Sequence, residues 1–169
     1  MLQSLKAYFD SIFGYGSFRK DVTVYIPAQN SLARDIIKRV AEYTSIPTLE
    51  TNSEAFMVIE DQKIIGTMAI VRFLGRQSGL YPSGVYECAI EDSALDLIIP
   101  LLDKPSPEKV EEIFYLFDTQ IYESHDETLS DVVWYVTAEY FINEGRTDLI
   151  EKMNWLSDWY SDSDSNKDN

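Results

Sequence analysis

The sequence predicts a mixed α/β unit followed by an all-helical one, and three observations carry that reading. β-rich runs alternating with one amphipathic helix fill the first half. Helical periodicities fill the second. The most loop-like stretch of the chain, Gly79-Leu80-Tyr81-Pro82-Ser83-Gly84, stands between them. Charge divides at nearly the same place. Residues 1–86 carry 9 Lys/Arg against 8 Asp/Glu, whereas residues 87–169 carry 5 against 21. The whole net charge of −15 therefore belongs to the second half.

Residues 1–20 begin as an amphipathic segment, with Leu2, Leu5, Phe9, Ile12 and Phe13 at helical spacing and Gly14 and Gly16 ending it. They lack the basic start of a signal peptide, so a packing helix is expected. The unit over 21–79 opens with Val22-Thr-Val-Tyr-Ile26, a strand stopped by Pro27. Asn30 or Ser31 caps a helix over 31–44. Strands follow at Ile46–Thr51, Phe56–Ile59 and Lys63–Ile65, and Gly66 and Thr67 open a second helix. The order is β-α-β-β-β-α.

After a linker at 80–84, the helical unit spans 85–160. Pro100 bends or ends its first helix, Pro105-Ser-Pro107 opens the next, and Thr128-Leu-Ser-Asp131 forms a capping box. A last helix is expected over 147–160, and the tail 161–169 reads as acidic and disordered.

Composition excludes several functions. No apolar run reaches 18 residues, which argues against a membrane helix. Cys88 is the sole cysteine, so there is no intramolecular disulfide or Cys-rich zinc site, as a reducing compartment allows. Cytoplasmic residence is expected, with the nucleus as the other compartment. The acidic second half repels phosphate backbones, and no basic patch offsets it. Asp92 with Asp96, and Glu108 with Glu111 and Glu112, lie one turn apart, but no histidine joins them at metal spacing. They read as a solvated acidic face, with no metal. His125 falls in a polar loop, and Cys88 has no basic neighbour in sequence to activate it.

These parts together resemble the glutathione transferase superfamily: a thioredoxin-like subdomain, a Gly/Pro linker, then a helical subdomain. Val24-Tyr25-Ile26-Pro27 is similar to the first strand of its tyrosine-type members. Gly66-Thr67-Met-Ala-Ile70-Val-Arg72-Phe-Leu74 through Gly79-Leu-Tyr81 is similar to their Q-S-x-x-I-x-R-x-L…G-L-Y segment. Thr128-Leu-Ser-Asp131 is similar to their S-L-A-D box. The resemblance implies a vestigial glutathione site of Tyr25, Phe56, Met57, Gly66, Thr67 and Asp92. Tyr25 would hold the thiol, and the helix start at Thr67 would hold the γ-glutamyl carboxylate.

Departures stand beside these likenesses. Met57 falls near the family's cis-proline, and a non-proline cis bond costs about 2.5–4 kcal/mol, so a trans bond is expected. Gly66 replaces its glutamine. About four residues join the Ile46 and Phe56 strands, leaving no room for its second helix.

Within the superfamily, the chain resembles the small non-catalytic auxiliary factors of the multi-aminoacyl-tRNA synthetase complex, the elongation factor 1 epsilon type. Ile46-Pro-Thr-Leu-Glu-Thr51-Asn52, the box continuing to Phe141-Ile142, and Glu151-Lys152 before Ser157-Asp158-Trp159-Tyr160 carry this. Asp158 reverses the charge of an arginine those factors use at an interface. The resemblance implies a scaffold without cofactor. It would pair through Met68, Val71, Arg72 and Arg76 with Glu87, Ile90, Glu91 and Ala94. The partner is a second copy or another transferase-like domain, such as that of a methionyl- or glutamyl-prolyl-tRNA synthetase. Two alternatives stand: a transferase that uses Tyr25 and glutathione, and an acidic regulator docking a basic protein through its helical face or a phosphorylated Ser161/Ser163 tail.

Overall fold

The computed structural model describes residues 21–119, 127–153 and 155–157. Strand β1 (Val22–Pro27) alternates buried and half-buried side chains, as a β-rich run with one covered face must. Helix α1 (Leu32–Ala41) follows, its first turn closed by the Ser31 hydroxyl accepting from the Arg34 amide at 3.3 Å. The chain then lays down β2 (Thr48–Thr51) parallel to β1, the crossover demanded by an intervening helix. A four-residue link at 52–55 carries no helix and leads to β3 (Phe56–Ile59), which returns antiparallel to β1 and turns into β4 (Gln62–Ile65). The sheet order is β2-β1-β3-β4.

Helix α2 (Thr67–Ser78) starts at Gly66, whose φ of +117° is a backbone state that L side chains rarely adopt. Gly79, in the left-handed region, ends it. Helix α3 (Val85–Asp96) ends before Pro100, one of the two outcomes expected there. Pro100 sits in a separate tight turn over Ile99–Leu101. Helices α4 (Pro107–Asp118), α5 (Leu129–Asn143) and α6 (Asp148–Lys152) complete the second half. The expected capping box is present: Thr128 Oγ1 accepts from the Asp131 amide, and the Asp131 carboxylate accepts from the Thr128 amide at 2.8 Å. The amphipathic segment 1–20, His125, Trp159, Tyr160 and the acidic tail lie outside the described residues.

One apolar core runs through both halves. Val24, Ile26, Ile36, Ile37, Val40, Ile70 and Leu74 meet Leu95, Ile98, Leu129, Val133 and Trp134. Polar ties cross the same boundary. The Leu129 amide donates to the Leu80 carbonyl at 3.1 Å, and Tyr43 reaches Glu127. Below lies an aromatic nest in which Phe117 stacks on Trp134 at 3.9 Å and Phe114 meets it edge-on at 5.5 Å. Among the described residues no helix is long and apolar enough to cross a membrane.

Candidate functional site

Strand pairing brings most of the expected ligand residues to one end of the sheet. Tyr25 lies directly opposite Phe56 on β3, and Phe56 lies opposite Ile65, the residue before Gly66 and Thr67. The Tyr25 and Phe56 rings stack at 4.4 Å and 11°. The Lys63 ammonium sits 4.0 Å from the Phe56 ring centroid. Met57 alternates to the opposite face and is 2 % exposed, so its side chain belongs to the core. As expected, its peptide bond is trans; among the described residues none is cis.

Gly66 also explains its own departure. At φ +117° a glutamine would strain the backbone. No side chain caps the helix start there, although Thr67 occupies its first position.

Asp92 is committed elsewhere, to Arg72 of α2, whose Nε donates to it at 2.6 Å. The same guanidinium reaches Asp96 at 2.5 Å. Burial pushes the Asp92 carboxyl up, but the hydrogen bond and charge of Arg72 outweigh it and hold the group below its ordinary range. Tyr81, beneath the Arg76 guanidinium at 4.0 Å, is pushed up to about 12 by burial and by Asp92.

The residues expected at an interface separate into two sets. Met68, Val71 and Glu91 are buried within the chain. Glu91 accepts from the Ser130 amide at 2.5 Å and from its hydroxyl at 2.9 Å, which caps the start of α5 from a neighbouring helix. Burial drives its carboxyl above the ordinary value despite those bonds. Arg72 pairs within the chain with Asp92 and Asp96. Arg76 and Glu87 are exposed, and Ile90 and Ala94 half-buried. Beside them stand two apolar side chains the sequence did not single out: Val85 at 90 % exposure and Tyr86 at 71 %.

Several other carboxylates are paired, although Asp and Glu far outnumber Lys and Arg in this half. Glu111 meets Lys152 at 3.0 Å, Glu112 meets Lys109 at 3.1 Å, and Arg146 clamps Asp148 through two bonds. Among the described residues no cluster of His, Cys, Asp and Glu has the makings of a metal site.

The sequence matches no family model and no curated protein. Solved structures do match. A nematode-specific glutathione transferase of Caenorhabditis elegans superposes with a TM-score of 0.61 at 13% identity, covering 82% of this chain and 88% of that one. A hookworm enzyme from Necator americanus, described as monomeric, gives 0.60 at 14% identity over 86% and 92%. Prostaglandin synthase D of Nilaparvata lugens gives 0.60 at 17% over 81% and 90%. The chain has the glutathione transferase fold.

Within that fold, a cleft of about 450 Å³ opens between the two halves. Its walls are the β1–α1 loop (Pro27, Gln29, Asn30, Ser31) and the 101–105 loop (Leu101 to Pro105), closed by Tyr140, Phe141 and Glu144 of the α5 end. None of the expected ligand or interface residues lines it. Its two loops lie some 70 residues apart and meet only through the fold. The hint in the sequence is that each carries a proline, Pro27 and Pro105.

Proposed function

We propose that this transferase-fold chain is a non-catalytic adaptor that pairs with a second transferase-like domain, with translation complexes as its setting. The observation that carries the reading is the link between β2 and β3. Residues 52–55 cross directly, without the helix that flanks glutathione in the superfamily, and Gly66 offers no side chain at the neighbouring helix start. What the fold offers instead is surface. Val85 and Tyr86 at the start of α3, with Glu87 and Ile90 beside them, form a small apolar patch with an acidic rim.

The partner is a second copy or a synthetase's transferase-like domain, and sedimentation separates the two. The chain alone should run at twice its mass, or run singly and co-sediment when a methionyl- or glutamyl-prolyl-tRNA synthetase domain is added. Tyr86→Asp should abolish either association without unfolding the chain. A single species that ignores both additions overturns the pairing.

One observation favours a second reading. Tyr25, Gly66 and Thr67 do gather at one end of the sheet, as catalysis by a tyrosine-type transferase requires. Calorimetric titration with glutathione and a conjugation assay decide between them. The adaptor shows neither saturable binding nor turnover. Turnover lost in Tyr25→Phe would replace the adaptor with an enzyme.

A further inference from the structure

The sheet has two faces, and among the described residues helices cover one. Val22, Val24, Ile26 and Met57 point inward beneath α1 and α2. On the outer face the register aligns Leu49, Tyr25, Phe56 and Ile65 in one row that crosses all four strands. The ends of the row are open: Leu49 is 51 % exposed and Ile65 is 50 %. A continuous apolar row across a sheet marks a surface built to be covered.

We propose that residues 2–13 of the same chain cover this row, docking on it as an amphipathic helix. The segment carries the complementary stripe, Leu2, Leu5, Phe9, Ile12 and Phe13, with Ser4 and Ser11 on its opposite side. Dimensions agree. Twelve residues of helix are about 18 Å long. Four strands span three spacings, about 14 Å. The tether is also suited to the task. Residues 14–20 lead into Asp21 and β1, and seven extended residues reach about 24 Å, enough to turn back over a sheet that begins at their end. Gly14 and Gly16 free the backbone for that turn. Joined so closely, the segment stands at an effective concentration in about the millimolar range, which favours it over a second copy at ordinary protein concentrations. It would supply to the sheet the outer layer that the 52–55 link does not.

The test uses the full chain. In a Cys88→Ala background, Ser11→Cys gives one attachment point for a nitroxide spin label on the polar side of the segment. Backbone amide signals of Leu49, Tyr25, Phe56 and Ile65 should lose the most intensity. That loss should vanish in Leu5→Asp/Phe9→Asp, and in Leu49→Asp/Ile65→Asp from the other side. A second sample mixes spin-labelled, isotopically silent chain with unlabelled ¹⁵N chain. It should show no loss. Loss in the mixed sample assigns the row to a second copy and overturns the proposal. So does a sheet whose signals are untouched, or are touched equally in the aspartate variants.

Discussion

Glu91 offers the sharpest quantitative test of how the helices of the second half are held together. It is 4 % exposed, and both of its bonds go to Ser130 at the start of α5. Hydrogen bonds to a charged group contribute about 1.5–3 kcal/mol each. The carboxylate recovers less than their sum, because burial penalises its charged form, and that penalty wins: the group's proton affinity rises above its unfolded value of 4.5. Glu91→Leu removes both acceptors and leaves the Ser130 amide buried without one, so a loss of about 3 kcal/mol is expected. Glu91→Gln keeps one acceptor and sheds the desolvation penalty, so it should cost about 1 kcal/mol or less.

The pH dependence separates the two effects. The folded chain holds the Glu91 proton more tightly than the unfolded chain does. Ionisation therefore removes stability as pH rises from 4.5 through the raised folded value. Urea unfolding of wild type and Glu91→Gln between pH 4 and 8 should show wild type losing ground relative to the variant over that window. Equal costs for Gln and Leu, or parallel pH curves, would refute the reasoning.

Other substitutions probe the remaining contacts. Arg72→Met should cost about 1 kcal/mol, because its carboxylate partners are half exposed and screened, and the difference should shrink in 1 M salt. Asp92's contribution is present above its unfolded value of 3.8 and is lost as pH falls through the depressed folded one, so the acid limb should be shallower in this variant. Thr128→Ala should lower stability by about 1 kcal/mol in thermal unfolding, by opening the capping box. Gly75→Ala places a methyl 2.4 Å from Leu129 Cδ2. Crowding of about 1–3 kcal/mol should outweigh a gain in helix propensity of about 1 kcal/mol. A double-mutant cycle with Leu129→Ala should show the two substitutions costing less together than their sum.

Much of the architecture was legible because it is local. The Val22 run, the cap read at Asn30 or Ser31, the loop-like stretch from Gly79 and the Thr128 box each specify structure within a few residues; the cap falls on Ser31, and α2 ends at Gly79. The side-chain partnerships were not legible, because they are distant in sequence. Arg72 meets carboxylates 20 and 24 residues on, and Glu91 meets a serine 39 residues on. The resemblance to transferase-like domains implied an interface role for both. A buried Glu on a helix of mixed polarity carries no periodic mark that separates it from a solvated one. The cleft between the halves escaped notice because its walls come from segments far apart in sequence that meet only through the fold.

The aromatic nest in the helical half has a practical consequence for all such measurements. Every tryptophan of the chain, Trp134, Trp155 and Trp159, lies beyond residue 130. Trp134 is 1 % exposed, with its indole N–H donating to the Ala94 carbonyl at 3.1 Å. Indole emission is therefore a witness to the helical half alone. If the sheet loosened first, fluorescence would stay native while circular dichroism had already begun to move. Any gap between the two traces would measure how far the shared core fails to make the halves melt as one.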